Sequence, residues 1–369
     1  MSDDERPKSG IRPAAPKSGI RPAIQPHPPE PAYPWARASD EELLAYRIKD
    51  LGLRLESTPL VKKVDQLYME LDRQGICFHP PCYLGVEWAC PDEVPAVGIA
   101  FYLAHKRLRR LEKKMMLEVE GAGHGEFMRI LRHECGHAIN YAFLLHRRKR
   151  WTELFGSFRD EYRNVYHVRP YSRRFVRNLD GWYAQMHPDE DFAETFAVWL
   201  DPNIDWHKEY VGWGAMEKLE YVDELMRAAV IDKVPKVTAK RSEFAWNVKR
   251  LSSTLAAHYR RRRNEHAHEY NDYYDHELLQ LFTDSPEAQG PMAADFLKRN
   301  RSGIIDVVAK WSLESKFNLK GLLDMVMERC DELKLRVPNS EHDGVVDVVA
   351  YLVSLAVNYK HTGEFKRHR

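Results

Sequence analysis

Residues 130–139 read Ile130-Leu131-Arg132-His133-Glu134-Cys135-Gly136-His137-Ala138-Ile139. On an α-helix, side chains four apart share a face, separated by about 6 Å along the axis and about 40° in rotation. His133 and His137 can therefore grip one small cation, with Glu134 beside them. Two imidazoles leave a zinc ion an open position for water, and the adjacent carboxylate is placed to take that water's proton. The same residues on a solvated helix would be an ordinary charged face. Here Ile130, Leu131, Ala138 and Ile139 surround them, Gly136 is small enough for close packing, and no proline interrupts the run. A buried helix carrying His, Glu and His on one side needs a compensating partner such as a metal.

The whole chain limits the alternatives. Its 369 residues suffice for two domains, and 44% apolar content suffices for a sizeable core. A net charge of +1 gives no bulk attraction to nucleic acid, and none is expected as a partner. The N-terminus lacks the apolar stretch of a signal peptide, and no segment is an apolar run long enough to span a membrane, so a cytoplasmic protein without membrane association is expected. Five cysteines, an odd and scattered number, make no disulfide framework. Cys77, Cys82 and Cys90, with His79, are too unevenly spaced for a structural zinc site, and Cys135 is expected to pack rather than ligate.

Along the chain, residues 1–38 are expected to form a disordered, Pro-rich tail. It carries the heptapeptide Lys-Ser-Gly-Ile-Arg-Pro-Ala twice, at Lys8–Ala14 and Lys17–Ala23. The repeat reads either as a solvated leader or as a tethered ligand for a partner or for the protein's own cleft. Residues 39–235 are expected to form the catalytic domain. Helices are expected at Glu41–Leu53, around Leu60–Arg73 and from about Gly125 to His146, with strands at Ala96–Leu103 and Met115–Val119. Ala96–Leu103 reads as either a core strand or an edge strand that pairs with extended substrate. Residues 236–369 are expected to be wholly helical, with apolar stripes at Phe244, Val248, Leu251, Leu255 and Tyr259, then from Leu322 to Cys330 and from Val345 to Leu355. Arg260–Arg263 with the acids that follow reads as a solvated helix of mixed sign. The arginines and tyrosines of 159–177 read as a solvated loop or as the lining of a cleft for acidic peptides.

A catalytic zinc normally takes three protein ligands. Residues 188–200 supply candidates on a short helix, which Pro188 opens and Pro202 closes. Glu190 and Glu194 share one face, while Phe192, Phe196 and Trp199 form an apolar stripe. Glu190, Glu194, His187 and Asp189 are all eligible as the third ligand.

His133-Glu134-x-x-His137, Tyr183, and Glu190-Asp191-Phe192-Ala193, with the tyrosine seven residues ahead of its glutamate, resemble the gluzincin metallopeptidases. The likeness is to those similar to anthrax lethal factor and to the Mlc titration factor peptidase, and it spans Ile130 to Leu200. It implies that His133, His137 and Glu190 bind one zinc ion, Glu134 is the general base, Tyr183 donates to the oxyanion, and Glu194 orients a ligand histidine from behind. Asp is common at that last position in such enzymes, and Glu194 departs from it. The implied fold is α+β: a zincin-like domain with a small mixed sheet, an active-site helix and a helical lower half, beside an all-α C-terminal region. The implied activity is hydrolysis of a peptide or protein substrate. Two other readings are a regulatory protein with restricted proteolysis, whose partner binds the repeat or the C-terminal helices, and a metal hydrolase of non-peptide amides.

Overall fold

The computed structural model describes residues 33–162, 169, 171–244, 247–266, 275–285, 288–338 and 341–362. The repeat-bearing tail, residues 1–32, lies outside them, as do Arg163 and Tyr166 of the arginine-rich segment. The chain is mostly helical with one small sheet, an α+β arrangement. Helices α1 (Asp40–Ala45), α2 (Val61–Arg73), α3 (Lys106–Met116), α4 (His124–Phe143), α5 (Lys149–Phe155), α6 (Pro188–Leu200), α7 (Trp206–Glu209) and α8 (Ala215–Ala229) come first. They are followed by α9 (Leu255–His266), α10 (Asp275–Leu281), α11 (Ala293–Ser312), α12 (Lys316–Glu332) and α13 (Glu341–Thr362). No helix among the described residues is long and apolar enough to cross a membrane.

Helix α4 runs through the core, buried almost without a break from Phe127 to Phe143. Helix α6 is buried from Asp189 to Leu200 and packs against α4. They approach closely at Gly136, where an added Cβ would lie 2.9 Å from the Ala193 Cα and 3.1 Å from its carbonyl oxygen. Arg132 anchors the pair. Its guanidinium donates to both Glu70 oxygens on α2, at 2.7 and 2.9 Å, and to Asp201 at the end of α6. Arg132 and Glu70 are each only 3% exposed, so removing one partner would strand a buried charge.

The sheet consists of β1 (Cys82–Gly85) and β2 (Val97–Ala100), paired in parallel with Cys82 opposite Val97. Ala89 closes the other side of β2, exchanging two backbone hydrogen bonds with Gly98 at 3.2 and 2.7 Å. Every residue of β2 is buried and it is flanked by β1 on one side and Ala89 on the other, which is the core-strand reading; the expected strand Ala96–Leu103 is shorter than expected, because Phe101–Ala104 is a 3₁₀ turn. In place of the expected strand at Met115–Val119, Met115 and Met116 close α3, Leu117 caps it and Glu118 and Val119 follow outside it. Leu108, Leu111 and Met115 continue a helical stripe, which Leu117 ends at φ 67° in the left-handed region.

Three other expectations are corrected. The stripe from Phe244 to Tyr259 is not one helix: Val248–Arg250 is a 3₁₀ turn, and α9 begins at Leu255. The Glu41–Leu53 helix is likewise cut short, α1 ending at Ala45 and a 3₁₀ turn running Ile48–Leu51 to a left-handed Gly52. Buried apolar side chains form one large cluster from Trp35 to Tyr259 and another from Leu278 to Ala356, the latter built on α10 to α13. Arg262 on α9 is not solvated as expected. It donates to the buried Glu112 on α3 at 2.6 Å.

The Gly136 contact carries a prediction whose sign is informative. Helix propensity alone makes Gly→Ala stabilising by roughly 0.5–1 kcal/mol. Because the new methyl group would meet Ala193 backbone, Gly136→Ala should instead destabilise by about 1–3 kcal/mol in urea denaturation. A gain in stability would contradict the close crossing.

Candidate metal centre

Placing two imidazoles and three carboxyl groups together in a dry interior requires both helices. Helix α4 presents His133, Glu134 and His137. Helix α6 starts at Pro188, with the His187 side chain accepting from the Asp189 amide at 3.1 Å as its cap, so its first turn faces α4. Acidic residues suit that turn because the helix dipole is positive there.

His133 Nε2, His137 Nε2 and Glu190 Oε2 form a triangle with sides of 3.1, 3.0 and 3.2 Å. Each outer imidazole nitrogen meets its own carboxylate: His133 Nδ1 and Glu194 Oε1 at 2.8 Å, His137 Nδ1 and Asp189 Oδ2 at 2.8 Å. Those carboxylates are themselves held. Glu194 accepts from Asn178 Nδ2 and the Leu179 amide, both at 2.8 Å; Asp189 accepts from Tyr141 Oη at 2.6 Å and Asn140 Nδ2 at 2.7 Å.

The donor chemistry fits a zinc ion. When each Nδ1–H is donated outward, a neutral imidazole turns its Nε2 lone pair inward, so two nitrogen lone pairs and a carboxylate oxygen converge with no proton between them. A cation relieves that repulsion. Ligand bonds of about 2.0–2.1 Å in a tetrahedron separate donors by about 3.3 Å, close to the triangle observed. His133, His137 and Glu190 are all buried, and they are the group among the described residues whose ligand atoms can hold one ion. The electrostatics agree. Burial by itself would lower His133, but hydrogen bonds to Glu190 and Glu194 lift it to about 9. Burial would raise Glu190, and the two imidazoles instead hold it well below the usual carboxylate range. The cluster thus demands positive charge.

A cavity of about 370 Å³ opens onto the triangle, with Glu134, Tyr183, Tyr162 and the Trp88–Cys90 segment in its wall. Glu134 is nearly buried, and desolvation raises its carboxyl above the ordinary value against the pull of both histidines. The Tyr183 ring stands 5.5 Å from that of His133, and desolvation followed by the charges of Glu190 and Glu134 keeps its phenol protonated. It places a protonated phenol beside the His133–His137–Glu190 cluster.

The residues singled out in the sequence thus fall together, while the rivals separate. Glu194 and Asp189 lie behind the histidines, and His187 caps α6. Two residues were missed. Asp189 does for His137 what Glu194 does for His133; its place one residue before Glu190 made it look like a competing ligand. Tyr162, whose phenol hydrogen-bonds Glu190, stacks on His187 with ring centres 3.8 Å apart. No spacing rule connects it to the motif.

Cys77, Cys82 and Cys90 are free thiols, while His79 pairs with Asp72 and stacks on Tyr68. Cys135 is buried and packed, as expected. Of the arginines between the motifs, Arg173 and Arg177 lie over the Trp213 ring and do not line this cavity, Arg174 lines a separate one, and Arg163 lies outside the described residues.

Residues 122–210 match the model of one protein family. It is described as "putative zinc-binding metallo-peptidase", and the matched span contains α4, Tyr183 and α6. The match supports a metallopeptidase. No curated protein and no solved structure matches the chain.

The backing carboxylates yield a measurable consequence. Asp189→Ala and Glu194→Ala should each weaken zinc binding by about 10–100-fold in competition with a chromophoric chelator, since each frees one ligand imidazole to rotate. Unchanged affinity in either variant would deny that carboxylate its orienting role.

Proposed function

We propose that this chain is a zinc-dependent peptidase of the glutamate-zincin type, with His133, His137 and Glu190 as ligands of one catalytic ion and a zincin-like arrangement of its catalytic region. The observation that carries the reading is the convergence of those three donors, each histidine backed by a carboxylate, at the floor of a cavity that also holds Glu134 and Tyr183. The family match over 122–210 supports the same activity class.

A zinc ion bound there would supply Lewis acidity to a water molecule and to the scissile carbonyl. Glu134 takes the proton of the attacking water as the new carbon–oxygen bond forms, and passes it to the departing nitrogen as the carbon–nitrogen bond breaks. Its raised basicity suits both halves of that transfer. Tyr183 donates its phenolic proton in a hydrogen bond to the carbonyl oxygen as negative charge develops there. Asp189 and Glu194 hold the imidazoles in the orientation and tautomer that ligation needs.

In a peptide-library assay, Glu134→Ala should retain zinc and lose about 10²–10⁴-fold in turnover. Tyr183→Phe should lose on the order of 10²-fold with zinc affinity unchanged. Glu190→Ala should lose zinc itself. Hydrolysis that persists in a chelator, or that survives Glu134→Ala, would defeat the reading.

A further inference from the structure

Tyr183 reaches the metal site without an anchor of its own. Among the described residues its phenol oxygen makes no hydrogen bond, so its place is set by the backbone that carries it, the 3₁₀ segment Asp180–Gln185. The residue just before it, Trp182, has φ 59°. That left-handed conformation brings Cβ close to the following carbonyl oxygen, and a bulky side chain rarely adopts it. It persists only where the surroundings hold it.

Arg177 is placed to do so. Its guanidinium lies over the Trp182 ring at 4.8 Å and the Trp213 ring at 4.9 Å, with the Tyr171 ring 5.9 Å from the same cation. Tyr171 is also left-handed, at φ 62°, and its ring meets that of Trp182 edge-on at 5.4 Å. Among the described residues Arg177 has no carboxylate partner, and the rings are what its cation meets. A planar guanidinium can stack on two aromatic faces, which a compact ammonium does less well. The far end of this arrangement is fixed. The Arg177 amide donates to Tyr210 Oη at 3.0 Å, the Tyr210 and Trp213 rings meet edge-on at 5.2 Å, and the Ala215 amide donates to the Arg173 carbonyl at 2.9 Å. From Arg177 the chain runs inward through Asn178 and Leu179, both donating to Glu194, and on to Trp182 and Tyr183. The Trp182 ring thus faces the exposed Arg177 and Tyr171, while its neighbour Tyr183 faces His133.

We infer that Arg177 and Trp182 form a clamp that positions Tyr183 beside the metal ligands. Arg177 is a positioning residue: it belongs neither to the donor triangle nor to the cavity wall, and it acts through the left-handed Trp182. The value of Tyr183 in turnover rests on the peptidase reading, but the place of its ring can be read without substrate or metal.

The test begins with full-length, metal-free protein carrying ¹³C at the ζ carbon of tyrosine. The Tyr183 resonance is the one lost in Tyr183→Phe, and that of Tyr141, which donates to Asp189 at 2.6 Å, serves as control. Arg177→Gln should shift the Tyr183 resonance and leave that of Tyr141 in place; Arg177→Lys, which keeps a cation over the rings, should shift it less. With zinc bound, Arg177→Gln should lower kcat on peptides about 10-fold, with KM and zinc affinity changed by less than about 2-fold. In a Tyr183→Phe background the same substitution should cost less than about 2-fold, because the two residues act as a unit. An unmoved Tyr183 resonance, or an equal loss of kcat in both backgrounds, would overturn the inference. A shifted resonance in a protein whose Tyr183→Phe variant turns over like wild type would support the clamp and count against the peptidase reading of Tyr183.

Discussion

The close crossing of α4 and α6 at Gly136 and Ala193 is the constraint on which the site depends. It brings the first turn of α6 within hydrogen-bond distance of two imidazoles on α4, so that one short helix supplies a carboxylate between the histidines and one behind each. Arg132, joined to Glu70 and Asp201, ties α4 to α2 and to the residue that ends α6. Ligand geometry and core packing are consequently one arrangement, and a methyl group at Gly136 would disturb both.

Buried charge explains why so many polar side chains can occupy this interior. Isolated carboxylates would be strongly disfavoured there, but each finds donors: Asp189 from Tyr141 and Asn140, Glu194 from Asn178 and Leu179. The inner face is the exception. There two imidazole nitrogens and a carboxylate oxygen converge within 3.2 Å of one another, an arrangement that holds positive charge, whether a proton on an imidazole or a cation. The backing carboxylates fix from outside the orientation in which the two imidazoles face Glu190.

Much of this was legible in the sequence because helical periodicity is local. His133, Glu134 and His137 share a face by spacing alone, and Pro188 with its acidic first turn marks the start of α6. What depended on the crossing of two helices was not legible. Asp189 and Glu190 are sequence neighbours, and only the angle of α6 against α4 makes one an orienting group and the other a member of the donor triangle. Tyr162 reaches the site through its stack on His187, a contact with no periodic signature. The strand's role was left open for a related reason: Ala96–Leu103 has the apolar character of a strand, yet whether β2 lies at an edge depends on the Ala89 segment that pairs beside it. The helical stripe read through Phe244–Tyr259 mixes residues of a 3₁₀ turn with those of α9, both packed on the same core.

The most direct test of the account is anomalous diffraction at the zinc edge from crystals of the zinc-loaded protein. The account predicts a single ion bonded to His133 Nε2, His137 Nε2 and a Glu190 carboxylate oxygen, with Asp189 and Glu194 still bound to the outer nitrogens. An ion ligated by Glu194 or Asp189 in place of Glu190, or one seated away from the two histidines, would contradict it.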